Sequence, residues 1–143
     1  MSDPAYLQGL TTTLLKLSRD PVAALPVALE LASLLPTPRS YLTVSTICRE
    51  LCAIEEATEW LRHAIALAPE DGALRLRHAL LLPPMMGNDA SGERARVEAE
   101  MEALAGGRFA ISDPVQQLPV LDFFSAYYGE NERKLRQNLA AFL

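Results

Sequence analysis

Apolar positions along this chain recur at spacings of three and four, the period that places side chains on one face of a helix. Ala57, Leu61 and Ala64 follow it, as do Val97, Met101 and Leu104, and Leu135, Leu139 and Phe142. Alternating runs of Val, Ile and Thr, the mark of half-buried strands, do not occur. The polar interruptions between apolar blocks share a form. Asp3-Pro4, Asp20-Pro21, Thr37-Pro38 and Asp113-Pro114 each set a capping oxygen directly before a proline. Such an oxygen accepts from the free amides of a first turn, and proline at the first helical position gives up no hydrogen bond. Each pair predicts a helix start, and the chain is expected to be all-α.

The spacing of these starts carries more than their identity. Asp3, Asp20 and Thr37 are 17 residues apart. Further steps of the same length reach Ile54, ahead of Glu55 and Glu56, then Asp71, then Asn88. Acidic residues suit the positive end of a helix dipole. The comb slips across "AGGRFAI" and resumes at Asp113, with a last step to Glu130 and Asn131. Such a step holds a helix of about 13 residues and a turn of about 4. About eight antiparallel helices packed as hairpins, in one domain over residues 1–143, are expected. Pro83 and Pro84 should stop the fifth helix, and Gly106-Gly107 should end the sixth. Pro119 should kink, and Gly129 end, a later helix buried on two sides by Phe123, Phe124, Tyr127 and Tyr128.

Two steps make 34 residues, the length of a tetratricopeptide repeat, and residues 38–71 resemble one. In "PRSYLTVSTICRELCAIEEATEWLRHAIALAPED", Tyr41 stands at the large aromatic position, Val44 at a Leu position and Ser45 at a small one. Ala57, Leu61 and Ala64 match the small-large-small series of the second helix, and Pro69 the closing proline. Residues 4–37 resemble a degenerate copy and 72–105 a divergent one, with 113–143 as a terminal helix pair. The resemblance implies a helical-hairpin array, an α-solenoid, whose first helices line a concave face. In that register Gln8, Thr12, Arg39, Leu42, Thr46 and Arg49 would face a bound polypeptide, since amides, hydroxyls and guanidinium groups can hold a peptide backbone or its carboxylates.

Composition narrows the class. Of 143 residues, 50% are hydrophobic and 22% charged, which is globular rather than disordered, and with only nine aromatic residues Leu and Ala must do the packing. The net charge of −5 and the lack of a basic block argue against nucleic-acid binding. Eleven of the thirteen cations are Arg, a bias associated with GC-rich genomes. The longest apolar run, "PVALELASLLP", is broken by Glu30 and bounded by prolines, so it cannot span a bilayer. No leader resembling a signal peptide opens the chain, and a soluble, cytoplasmic protein is expected.

A second resemblance concerns the C-terminal half. The order "LLPPMM…ERARVEAEMEAL…SDP…FFSAYYGENERKLRQNLAAFL" looks like the segment joining the repeats to the catalytic part of bacterial SPINDLY-type O-GlcNAc transferase homologues. The positions that carry the likeness are Leu82, Pro83, Pro84, Arg94, Asp113, Pro114, Ala126, Tyr127, Gly129, Asn131, Arg133, Leu135, Leu139 and Ala140. Met85-Met86 stand where Ile-Tyr is usual, and Glu132 where Asp is common. In that family catalysis lies in two Rossmann-like lobes beyond this segment, and no Gly-rich loop after a strand occurs here. The resemblance implies either the N-terminal piece of a longer transferase or a stand-alone relative.

Candidate chemistry within the chain is sparse. Cys48 and Cys52, four apart, read as a metal or redox pair or as small buried hydrophobes, and the spacing fits no zinc pattern. His63 with Glu59 one turn before it reads as a surface contact. Glu93, Arg94, Arg96, Glu98, Glu100 and Glu102 read as a solvated helix face. No catalytic residue, metal or cofactor is assigned. The expected function is a non-catalytic protein-interaction module that recognises a polypeptide, the acceptor of a fused or separate glycosyltransferase. The alternatives are a scaffold or homo-oligomer without any transferase, and a small metal or redox protein.

Overall fold

The computed structural model describes residues 3–81, 90–109, 111 and 133–142. Seven helices and no strands lie among the described residues, against the eight or so helices expected. Contacts divide the chain into two compact units, Met1–Pro69 and Glu70–Leu143.

The first unit holds α1 (Pro4–Lys16), α2 (Pro21–Leu34), α3 (Pro38–Glu50) and α4 (Ile54–Leu67). Each begins where local chemistry starts it. Asp3 accepts from the Ala5 amide at 3.0 Å and Asp20 from the Ala23 amide at 2.9 Å. Thr37 and Ser40 form a reciprocal capping box, with the Ser40 amide donating to Thr37 Oγ1 at 3.2 Å and the Thr37 amide to Ser40 Oγ at 3.1 Å. Pro4, Pro21 and Pro38 open their helices as expected. The fourth start is one residue early. Ala53, not Ile54, is the N-cap, and it has no side-chain cap bond. The cause is a tight exit from α3. Cys52 takes a left-handed conformation at φ 61, its amide donates to the Arg49 carbonyl, and the Ala53 amide donates to that of Cys48. This is a Schellman motif with cysteine in the place usually held by glycine. Glu55 and Glu56 in the first turn of α4 meet its dipole in place of a cap.

Cys52 therefore does not share a helix face with Cys48, because α3 ends at Glu50. Cys48 is buried and Cys52 exposed, both as free thiols.

Sequential helices pack, α1 on α2, α2 on α3, and α3 on α4. Links of four, three and three residues force the chain to reverse at each step. Small side chains allow the close approach. Ala24, Ala28 and Ala32 make a fully buried stripe along α2, and Ala57 and Ala64 flank Leu61 on α4. Val44, Ile47 and Cys48 of α3 complete this core, and buried Ser45 donates to the Ala57 carbonyl at 2.7 Å. Pro26 lies inside α2, where it forfeits one backbone bond, and it sits on the exposed side of the helix, within reach of water.

The second unit holds α5 (Gly72–Ala79), α6 (Ala90–Ala105) and α7 (Arg133–Phe142). Asp71 caps α5 by accepting from the Ala73 and Leu74 amides at 2.9 and 3.2 Å, on the expected step. Leu76, Ala79, Val97, Met101, Leu104 and Leu139 form its core, with Phe109 and Phe142 packed against it. α6 ends at Ala105, before Gly106-Gly107. The expectations for Pro83 to Asn88, Asp113-Pro114, Pro119, the Phe123 to Tyr128 stripe, Gly129, Glu130 and Asn131, and the side chain of Leu135, lie outside the described residues.

One face of α6 departs from expectation. Arg94 is buried at 4% exposure, because it shares the stripe of Val97, Met101 and Leu104 at spacings of three and four. Its Nε donates to Glu98 Oε1 at 3.0 Å. Beside it, Glu100 accepts from Arg96 at 3.0 Å and lies 2.9 Å from His78 Nδ1, while Arg96 also donates to the Leu81 carbonyl past the end of α5. Charged side chains thus tie α5 to α6.

Candidate functional site

A groove of about 170 Å³ opens in the first unit, between α1 from Gln8 to Lys16, the end of α2 and the start of α3. Its rim carries Gln8, Thr12 and Lys16 from α1, and Arg39 and Thr43 from α3. Leu15, Leu31 and Leu35 supply the apolar part of the lining. Helical spacing explains the alignment, since residues 8, 12 and 16 lie one turn apart on one face of α1. The Thr37–Ser40 capping box fixes the first turn of α3, and Ser40 Oγ also lies 2.6 Å from the Leu35 carbonyl, which joins the end of α2 to that turn.

Three of the six expected contact residues, Gln8, Thr12 and Arg39, line this groove together. Leu42, Thr46 and Arg49 continue the same face of α3 beyond it and are not among the lining residues. Leu42 is half-buried, and Thr46 is exposed with its hydroxyl donating to the Leu42 carbonyl at 2.9 Å. The sequence reading missed Lys16 and Thr43. Extension of the four-residue spacing, from Thr12 to Lys16 and from Arg39 to Thr43, would have found both.

The electrostatics of the groove are one-sided. Two cations stand on its rim, and among the described residues no Asp or Glu lines it. Its hydroxyls are already engaged as donors. Thr11 donates to the Leu7 carbonyl at 2.8 Å, Thr12 to that of Gln8 at 2.9 Å and Thr43 to that of Arg39 at 3.0 Å.

Other candidate chemistry does not gather there. Glu59 pairs with Arg62 rather than with His63, whose ring lies edge-on to Trp60 at 5.8 Å and 6.2 Å from Tyr41. Burial, and then the negative charge of Glu56, pushes the Cys48 thiol above its ordinary pKa, which disfavours a nucleophilic thiolate. Among the described residues no three His, Cys, Asp or Glu side chains come together as a metal site would need. No helix among the described residues is long and apolar enough to cross a membrane.

No family model, no curated protein and no solved structure matches the chain. The likeness to tetratricopeptide repeats and to SPINDLY-type transferase homologues therefore rests on the sequence positions quoted above.

Proposed function

We propose that this protein is a non-catalytic recognition module that holds a polypeptide in the groove between α1 and α3. The first unit is read as an array of helical hairpins with that groove on its inner face. The observation that carries the reading is the convergence of Gln8, Thr12 and Arg39, from two different helices, over an apolar lining. Polar groups that fix orientation around apolar surface are the usual make-up of a recognition site. The sequence resemblance would make the polypeptide an acceptor for a fused or separate glycosyltransferase.

Selection of a random peptide library on the full chain tests the groove. A Lys16→Ala/Arg39→Ala double variant should retain the bound peptides several-fold less well, and Leu42→Ala/Arg49→Ala should retain them as the parent does. Equal retention by all three proteins would remove the reading. Co-purification of a glycosyltransferase that modifies the selected peptides tests the link to transfer, and its absence leaves a recognition module alone.

A scaffold that self-associates has one observation in its favour. Val22, Pro26 and Leu29 form an exposed apolar face on α2, with Val22 at 69% exposure. A light-scattering mass that falls to the monomer value on Val22→Glu would support this second reading. A monomeric parent protein would dismiss it.

A further inference from the structure

The groove specifies more than a polypeptide, and its charge, its hydrogen-bonding capacity and its size each narrow the occupant. Lys16 and Arg39 are both exposed, and neither has an ion-pair partner among the described residues. Two cations with no lining acid among the described residues form a local positive field in a chain of net charge −5. That field attracts a carboxylate and repels a basic segment.

The threonines set the second condition. A hydroxyl has one proton, and those of Thr11, Thr12 and Thr43 are spent on carbonyls one turn back in their own helices. What Thr12 and Thr43 can still offer a ligand is lone pairs. The donors that remain on the rim are the Lys16 ammonium, the Arg39 guanidinium and the Gln8 amide. A ligand that satisfies the rim must bring N–H donors as well as negative charge. A peptide backbone beside an acidic side chain brings both, whereas a polyphosphate brings acceptors alone.

Size is the third condition. An engineered apolar cavity of about 150 Å³ holds one benzene, and the groove measures about 170 Å³. The groove as a whole therefore has room for no more than one large apolar side chain, and Leu15, Leu31 and Leu35 are its apolar part.

We infer that the groove binds a segment in which a single Leu- or Phe-sized residue stands beside an Asp or Glu. The apolar side chain rests on the three leucines, the neighbouring carboxylate pairs with Lys16 or Arg39, and backbone N–H groups donate to Thr12 and Thr43. This assignment rests on the peptide-recognition reading above and names the sequence class that the module selects.

The library is built with both peptide termini blocked, so that only internal side chains supply charge. The enriched pool should carry Asp or Glu within two positions of Leu, Ile, Met or Phe. Synthetic peptides from that pool are then measured against the full chain by fluorescence anisotropy. Acid-to-amide replacement should weaken binding about 5-fold, an effect that fades in high salt. Replacement of the apolar residue by Ala should weaken it about 10-fold or more. The Lys16→Ala/Arg39→Ala variant substitutes exposed residues, and its helical circular dichroism should match the parent. It should lose the preference for acid over amide and keep the preference for Leu over Ala. Groove-dependent peptides without an acid preference, or with a stronger preference for phosphoserine, would overturn this assignment and leave peptide recognition standing. No enrichment, or enrichment indifferent to the groove variant, would overturn both.

Discussion

The two units of this chain solve helix packing with different chemistry. In the first, α2, α3 and α4 meet through alanines packed around Val44, Ile47, Cys48 and Leu61 with one buried serine, and polar groups serve mainly the helix ends. In the second, polar side chains also join α5 and α6: His78, Arg96 and Glu100 bridge them, and buried Arg94 donates to partly exposed Glu98. Apolar contact is non-directional and tolerates small shifts. Charged contact holds only while every partner keeps its place and its protonation state. Volume therefore limits both units, and the second is limited by charge as well.

Substitutions can break that contrast, and the largest effects are expected in the cores. Leu61→Ala and Met101→Ala should each cost about 2–5 kcal/mol, because each leaves a cavity among fully buried neighbours. Chemical denaturation read by circular dichroism measures both. A loss below 1 kcal/mol at either position would show a site able to collapse, against the close packing described here.

The next effect separates the units. Glu98→Ala removes the carboxylate that accepts from buried Arg94 and should cost about 1–3 kcal/mol, less than a fully enclosed pair because Glu98 is partly exposed. Arg94→Met fills the same stripe without charge and should be near neutral or stabilising. The reverse order of the two would mean that Arg94 acts through charge rather than volume. Smaller again is Cys52→Gly. It relieves a left-handed residue at φ 61 and should stabilise the first unit by about 0.5–1 kcal/mol, read as a rise in denaturation midpoint.

The most modest effect depends on pH. Desolvation alone would raise the Glu100 carboxyl, but hydrogen bonds and charge from His78 and Arg96 outweigh it and hold the group below its ordinary pKa. A depressed folded-state pKa stabilises above the unfolded value and is lost as pH falls through the folded one. Acid should therefore weaken the α5–α6 contact, whereas Glu100→Gln should flatten that dependence across the carboxylate range. Parallel acid titrations of the two proteins would weaken the case for Glu100.

How much of this was legible in the sequence follows the same division. Helix starts in the first unit depend on neighbours within three residues, so Asp3-Pro4, Asp20-Pro21 and Thr37-Pro38 could be read directly. The shift from Ile54 to Ala53 was not visible, because cysteine gives no sign that it will take the position usually held by glycine. In the second unit the decisive pairs span long separations, 22 residues from His78 to Glu100 and 15 from Leu81 to Arg96. No local pattern encodes them. The burial of Arg94 could have been read, since positions 94, 97, 101 and 104 form one stripe, but charge outweighed periodicity in that reading. At the groove, the face of α1 was legible through Gln8 and Thr12. That the groove ends near Thr43 depends on where α2 stops, which the repeat register does not state.

The turn that separates Cys48 from Cys52 turns the first unit into its own clock. A thiol-alkylating reagent should label Cys52 at once and reach Cys48 only when α3 and α4 part. The slow phase of that labelling reports the opening equilibrium when reclosure outruns the reagent, and the opening rate when it does not. Two ordinary cysteines, one in water and one in the core, thus time the motions of the unit that holds the groove, without any added probe.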